Sequence, residues 1–133
     1  MKAGVFMILV RANGEILMQL RDDGKGKHIM FANKWVFPGG VKKSGESYLN
    51  TTIREAREEF GFNLANSACE EIMTYNYDNT EETHVFVCRV DSTHVPVLNE
   101  GADLRWMKFS EIEKIELGFG QNNILSNVKE ALT

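Results

Sequence analysis

The chain predicts an α/β fold in which helices pack on the faces of a mixed β-sheet. Three observations carry this. Apolar runs of strand length occur at Gly4 to Val10, Cys69 to Tyr77 and Glu82 to Val90. A strongly two-sided segment lies between Glu46 and Phe60, and a second amphipathic segment, Gln121 to Leu132, ends the chain. Strands, helix, strands, helix is an order that buries both faces of a sheet. The 133 residues, 43% hydrophobic and 26% charged, suit one domain spanning 1–133 of ordinary globular composition.

The formal net charge of −4 argues against a general nucleic-acid surface, which is usually basic. A nucleotide ligand remains compatible, because a divalent cation inverts the local sign. Cys69 and Cys88 lack metal-site spacing and read as reduced thiols of a cytoplasmic protein. The apolar run after Lys2 is short for a signal peptide and leads into the turn pair Asn13-Gly14. No run approaches the roughly 20 apolar residues that span a bilayer, so no membrane partner is expected. A monomer and a homodimer both fit.

Taken in order, Gly4 to Val10 is a first strand, Asn13-Gly14 a turn, and Glu15 to Arg21 the returning strand. Asp22 to Lys34 is a polar loop with Lys25, Lys27 and His28, read mainly as a solvated loop. Trp35-Val36-Phe37 is a short strand stopped by Pro38-Gly39-Gly40. A helix starts near Glu46 or Ser47, with Ser47 as N-cap, and ends at Phe60-Gly61. Two strands follow, Cys69 to Tyr77 and Glu82 to Val90, joined by a turn at Asp78-Asn79-Thr80. Asp91 to Ala102 is a loop, and Asp103 to Phe109 alternates as a strand. Ser110 and Glu113 have the spacing of a capping box for a short helix. The last helix carries Ile124, Leu125, Val128 and Leu132 on one side.

The chemistry concentrates on the first helix. At roughly 100° per residue, Glu58 and Glu59 fall within about 60° of Glu55 on either side. Leu49, Ile53, Ala56 and Phe60 form an apolar stripe roughly 140° away. One face is built for burial. The other gathers negative charge suited to a hard divalent cation, which prefers oxygen ligands and takes phosphate oxygens from a substrate. Carboxylates there can also orient or deprotonate water. Arg54 can orient a carboxylate through a bidentate pair, and Gly39-Gly40 exposes backbone close to the helix. These parts point to metal-assisted attack of water on a phosphate chain. On the helix alone, a solvated face with weak pairs such as Arg54–Glu58 is the better account of the pattern.

The wider spacing is more specific. Gly40, five residues, Glu46, seven residues, then Arg54-Glu55-Ala56-Arg57-Glu58-Glu59-Phe60-Gly61-Phe62 resembles the Nudix hydrolase signature at every defining position, with Ala56 small for its apolar slot. Trp35-Val36-Phe37-Pro38-Gly39-Gly40 resembles the family lead-in. The resemblance implies a Nudix-type α/β/α sandwich with a mixed β-sheet, and Mg2+- or Mn2+-dependent cleavage of a nucleoside diphosphate linked to another group. It implies Glu55, Glu58 and Glu59 as metal and catalytic carboxylates, the Gly39 carbonyl as a further ligand, and Glu46 with Arg54 as a pair that locks loop to helix. It also suggests Glu100, on the loop before a late strand, for metal or water, with a solvated loop residue as the alternative.

Substrate is less legible, because a family fold does not fix it. The short chain is similar to the MutT-type branch that converts nucleoside triphosphates, oxidised ones included, to monophosphate and pyrophosphate. Arg21 either contacts substrate or simply ends a strand. Asn122 and Asn123, beside Gln121, either read a purine edge or cap the helix. Trp35, Phe37, Tyr75, Tyr77, Phe86 and Trp106 either stack on a base or belong to the core. Tyr77 keeps dinucleoside polyphosphates open, and nucleotide sugars are a further option. Sensing of a nucleotide without cleavage is the alternative of another class.

Overall fold

A computed structural model describes residues 2–22, 31–77, 82–99 and 101–133. Lys25, Lys27, His28, the Asp78-Asn79-Thr80 turn and Glu100 lie outside the described residues. Seven strands form one sheet: β1 (Ala3–Val10), β2 (Ile16–Leu20), β3 (Trp35–Val36), β4 (Gly39–Val41), β5 (Cys69–Tyr75), β6 (Glu82–Arg89) and β7 (Asp103–Met107). The helices are α1 (Tyr48–Phe60), α2 (Phe109–Ile112) and α3 (Leu125–Leu132). The main strand order is β3-β2-β1-β6-β5, with β4 paired to β1 and β7 to β2. β1 and β6 run parallel in full register from Ala3↔Glu82 to Val10↔Arg89, and the other pairs are antiparallel. The mixed sheet is therefore as expected.

Period-2 alternation assigns the two faces. Val5, Met7 and Leu9 of β1, Leu17 of β2 and Phe86 and Cys88 of β6 pack with Ala56 and Phe60 of α1. Ile8 and Val10, Ile16 and Met18, and Val85 and Val87 point the other way, onto Ile112, Ile124 and Val128. Both faces are covered, which is why β1 reads as an unbroken apolar run rather than an alternating one. The arrangement is an α/β/α sandwich. Among the described residues, no helix is long and apolar enough to cross a membrane.

The differences from expectation are local. The strand at Trp35 ends at Val36, one residue before the expected Phe37, and the chain does not leave the sheet. Phe37 pairs its backbone with a side chain instead: its N–H donates to Gln121 Oε1 at 2.8 Å and its carbonyl accepts from Gln121 Nε2 at 3.1 Å. Pro38 then accepts from Met7 N–H at 2.7 Å, and Gly39–Val41 pairs with β1. The chain thus crosses from the β2 side to β1 within a few residues, and the glycines that looked like a strand stop form a strand of their own. The capping box is two residues early: Lys108 N–H donates to Glu111 at 3.0 Å, and α2 starts at Phe109. Of the final amphipathic segment, Gln121 to Leu132, the first four residues belong to a 3-10 stretch over Gly118–Ile124, itself broken at Phe119 and Gly120, and α3 takes the rest. The break follows from positive φ at both residues, +57° and +64°. Cys69 and Cys88 are free thiols, the first half-buried and the second buried.

One polar cluster ties α1 to the sheet. His84 on β6 stacks on Tyr48, the first residue of α1, with ring centroids 3.4 Å apart and planes 12° from parallel. Its Nδ1 lies 2.5 Å from Glu71 on β5 and its Nε2 3.1 Å from Glu82. Lys42 Nζ covers the Tyr48 ring at 5.7 Å. Two carboxylate acceptors on one imidazole require both ring nitrogens to donate, which is the protonated form. Burial opposes that charge, but the bonds to Glu71 and Glu82 outweigh it and hold the His84 pKa above its ordinary 6.5. A raised folded-state pKa gives stability that is full below the unfolded value and lost as pH rises through the folded one. Thermal unfolding followed from pH 5 to 9 is expected to show the midpoint falling above pH 6.5, and His84→Gln to flatten that fall. An unchanged slope in His84→Gln would contradict the assignment.

Candidate active site

Helix α1 begins and ends as its sequence dictates. Ser47 caps it by accepting from Asn50 N–H at 3.0 Å. Gly61 closes it at φ +78°, and its N–H with that of Phe62 satisfies the Arg57 and Ala56 carbonyls. Glycine is the residue that adopts this left-handed position without strain.

On the outward face Arg54 is the hub. Nε donates to Glu46 Oε2 at 2.7 Å and Nη2 to Glu46 Oε1 at 3.0 Å, a bidentate pair. Nη2 also reaches the Val41 carbonyl at 3.0 Å. Nη1 donates to Glu55 at 2.8 Å and to Glu58 at 3.1 Å. Glu46 further accepts from Lys43 N–H at 2.9 Å and from Thr51 Oγ1 at 3.1 Å. The Arg54 guanidinium, helped by these donors, holds the Glu46 carboxyl down at about 2, and Glu46 in turn raises the pKa of Arg54. Both are therefore charged at neutral pH, and the β4–α1 loop is locked to the helix.

Gly40 sets the position of Glu55. A Cβ at Gly40 would lie 2.3 Å from Glu55 Cδ and 2.7 Å from Oε1. The missing side chain is the space that the Glu55 carboxylate fills. Gly39 and Gly40 also border a cavity of about 500 Å3 whose far wall carries Arg21 and Phe119. The cleft therefore carries an aromatic and cationic wall and the two glycines, while Glu55 of α1 packs against Gly40 from outside its lining. Arg21 lies over the Phe119 ring at 5.0 Å, and Phe119 packs on Phe6 and Phe31 at 6.3 and 4.7 Å between centroids. Tyr75 braces this wall, its hydroxyl donating to the Gly120 carbonyl at 3.0 Å.

The remaining residues singled out in the sequence divide. Gly39, Gly40, Glu46, Arg54, Glu55 and Glu58 are brought together, with Glu59 on the same helix turn. Glu100 is outside the described residues. Arg21 borders the cleft. Tyr77 sits behind its aromatic wall, edge-on to Phe31 at 5.6 Å. Asn122 and Asn123 are outside the lining. The Asn122 amide accepts from Leu117 N–H and donates to the Ile115 carbonyl, both at 2.8 Å, and so holds the turn before the 3-10 stretch. Gln121 is fully buried on Phe37. Of the strand aromatics, Phe37 and Phe86 are core. Phe6 and Phe119 were missed. The readable signal for Phe119 was its place between Gly118 and Gly120, an aromatic in a glycine-made turn.

Among the described residues, no three metal-ligating side chains converge on one point. The donor chemistry nevertheless fits a magnesium ion, which uses one or two carboxylates and completes its shell with water and substrate phosphate. Arg54 offers one positive charge to Glu46, Glu55 and Glu58 together, which leaves the face negative. Glu46 accepts four bonds, two from Arg54 and one each from Lys43 and Thr51, which fills a carboxylate's acceptor sites and makes it an anchor rather than a ligand.

Comparison with known proteins matches this arrangement to one family. Residues 1–128 match the NUDIX domain family. An uncharacterised Nudix hydrolase of Bacillus subtilis, YvcI, is 30% identical over 97 residues, covering 68% of this chain. That match spans 61% of the relative's own length. Among solved structures, MutT studied from Aliivibrio salmonicida and Vibrio cholerae superimposes with a TM-score of 0.79 at 21% identity, covering 98% of both chains. The NUDIX domain of Shewanella oneidensis NrtR, solved with ADP ribose, gives 0.76 at 17% identity, covering 98% of this chain and 88% of the other. At those identities the two structures speak for the fold. With the glycine-to-glutamate spacing, the Arg54 hub and the family match in agreement, the chain belongs to the Nudix family.

Proposed function

We propose that this chain is a Mg2+-dependent pyrophosphohydrolase, with Mn2+ as an alternative metal, acting on a nucleoside diphosphate linked to another group. The observation that carries this is the single cleft running from Arg21 and Phe119 to Gly39-Gly40, directly behind which Glu55 packs. A nucleotide placed there has its base against the aromatic wall and its phosphate chain at the glycines. Within that class the substrate is a nucleoside triphosphate or an oxidised relative, cleaved to monophosphate and pyrophosphate. The compact cleft and the MutT-like fold support that choice.

In the reaction, water attacks one phosphorus, a new P–O bond forms, the anhydride P–O bond breaks, and the water's proton passes to a carboxylate. Glu55, Glu58 and Glu59 would hold the cation, with the Gly39 carbonyl and Glu100 as further oxygen ligands. Bound Mg2+ supplies charge neutralisation on the phosphate chain and makes water more acidic. Arg54 and Glu46 keep α1 and the glycine strand in fixed register. Arg21 supplies positive charge near the phosphates, and Phe119 a surface for the base. Tyr77 acts on the substrate only by supporting that wall.

Three substitutions and one panel test this. Glu58→Gln and Glu59→Gln should each lower turnover by about a hundredfold and leave the thermal midpoint within about 2 °C. Near-full activity in both, with Mg2+ saturating, would remove the site assignment. Gly40→Ala should cost about a hundredfold by displacing the Glu55 carboxylate, without loss of the folded state in far-UV circular dichroism. Incubation with triphosphates, nucleotide sugars and dinucleoside polyphosphates, with products identified by mass, reads the substrate. Tight binding of one of them without any hydrolysis would replace the enzyme reading with nucleotide sensing.

A further inference from the structure

A helix leaves its last four carbonyls without intrahelical partners, and its last turn frays. In α1 that turn carries Glu58 and Glu59. The carbonyl census at this end is complete. Gly61 and Phe62 N–H groups take Arg57 and Ala56. Three carbonyls remain for water in a helix capped by glycine alone. Here a loop far downstream takes all three. Asn99 Nδ2 donates to the Glu58 carbonyl at 2.7 Å and to the Glu59 carbonyl at 3.1 Å. Val97 N–H donates to the Phe60 carbonyl at 3.2 Å. His94 Nε2 lies 3.0 Å from the same oxygen. A carbonyl only accepts, so Nε2 carries the proton. The His94 ring also packs on Phe62 at 4.7 Å.

These bonds are what dock the loop. Its apolar residues Val95, Val97 and Leu98 are 81%, 51% and 43% exposed, so the attachment does not come from burying them. Ordering an exposed loop costs backbone entropy of about 1 kcal/mol or more per residue. Surface hydrogen bonds return little of that as stability. The arrangement makes better sense as positioning. It holds the backbone under the two outer carboxylates, in the part of the helix least able to hold itself.

We propose that Asn99 is a positioning residue of the active site, acting through the backbone of Glu58 and Glu59 to keep their carboxylates in one arrangement for the cation. This rests on the reading of Glu58 and Glu59 as metal carboxylates. Its side-chain amide is spent on the Glu58 and Glu59 carbonyls, so it acts through the backbone and not as a ligand. Its donor amide is the required property, so an aspartate, which only accepts, cannot replace it, whereas a glutamine can in part.

The test compares Asn99→Ala, Asn99→Asp and Asn99→Gln with Glu58→Gln. Mn2+ affinity is titrated without nucleotide by electron paramagnetic resonance. The kcat and KM are measured at fixed Mg2+, and amide hydrogen exchange is followed at Phe60, Gly61 and Phe62. Asn99→Ala should weaken Mn2+ binding and lower kcat about tenfold each, change KM for the nucleotide by less than about twofold, and speed exchange at those amides. Asn99→Asp should match or exceed that loss, and Asn99→Gln should recover part of it. Unchanged Mn2+ affinity and kcat in Asn99→Ala, beside an inactive Glu58→Gln, would overturn this proposal and leave the site reading standing. Recovery by Asn99→Asp would overturn it as well. A fully active Glu58→Gln would instead remove the reading on which the proposal rests. If activity in Asn99→Ala returns on cooling in step with the folded fraction, the residue is only structural and the proposal fails.

Discussion

One guanidinium holds the acidic face together. Arg54 owns five N–H donors, and they meet five acceptor contacts: two on Glu46, one each on Glu55 and Glu58, and one on the Val41 carbonyl. Without it, carboxylates spaced along one helix stripe repel each other and Glu46 keeps only the Thr51 hydroxyl as a side-chain tie to α1. With it, one strand, one loop and one helix become a rigid group. The charge is also deliberately insufficient: three carboxylates share one cation. That shortfall leaves the face net negative, and it rests on an ionised Glu46, whose carboxyl the Arg54 guanidinium holds down at about 2.

The sheet delivers the other half of the cleft to this group. Gln121 ends β3 by pairing its amide with the Phe37 backbone, and the chain then crosses to β1 as β4. That crossing brings Gly40 against Glu55. Phe119 arrives by a similar device, a turn with φ of +57° braced by Tyr75. A strained aromatic backbone costs about 1 kcal/mol or more, and here it sets a ring facing Arg21. The two walls come from distant parts of the sequence and are held by the buried Gln121 amide and the Tyr75 hydroxyl as well as by apolar packing.

Much of this was legible. The apolar runs of β1 and β6, the Ser47 and Gly61 caps and the stripe of Ala56 and Phe60 follow local rules of period and capping, and each occurs where those rules put it. The Glu46–Arg54 lock was readable as a spacing, and its bidentate geometry was not. What escaped depends on contacts between distant residues. β4 is a strand only because β1 lies open beside it and Gly4 lets it approach. Gln121–Ile124 is 3-10 where the period predicts an α-helix, and Gln121 and Asn122 there bond to distant backbone groups. Asn122 and Gln121 have the composition of base readers, but their amides are spent on backbone groups of Leu117, Ile115 and Phe37. Asn99 had no sequence signal, since its partners are main-chain carbonyls some 40 residues away.

On the proposed reading, a divalent cation binds the acidic face of α1 that Arg54 organises. The most direct measurement is anomalous diffraction from crystals grown with Mn2+. A manganese peak is expected within coordination distance of carboxylate oxygens from at least two of Glu55, Glu58 and Glu59, with the bidentate Arg54–Glu46 pair intact. A peak elsewhere on the molecule, with this face holding none at saturating Mn2+, would contradict it.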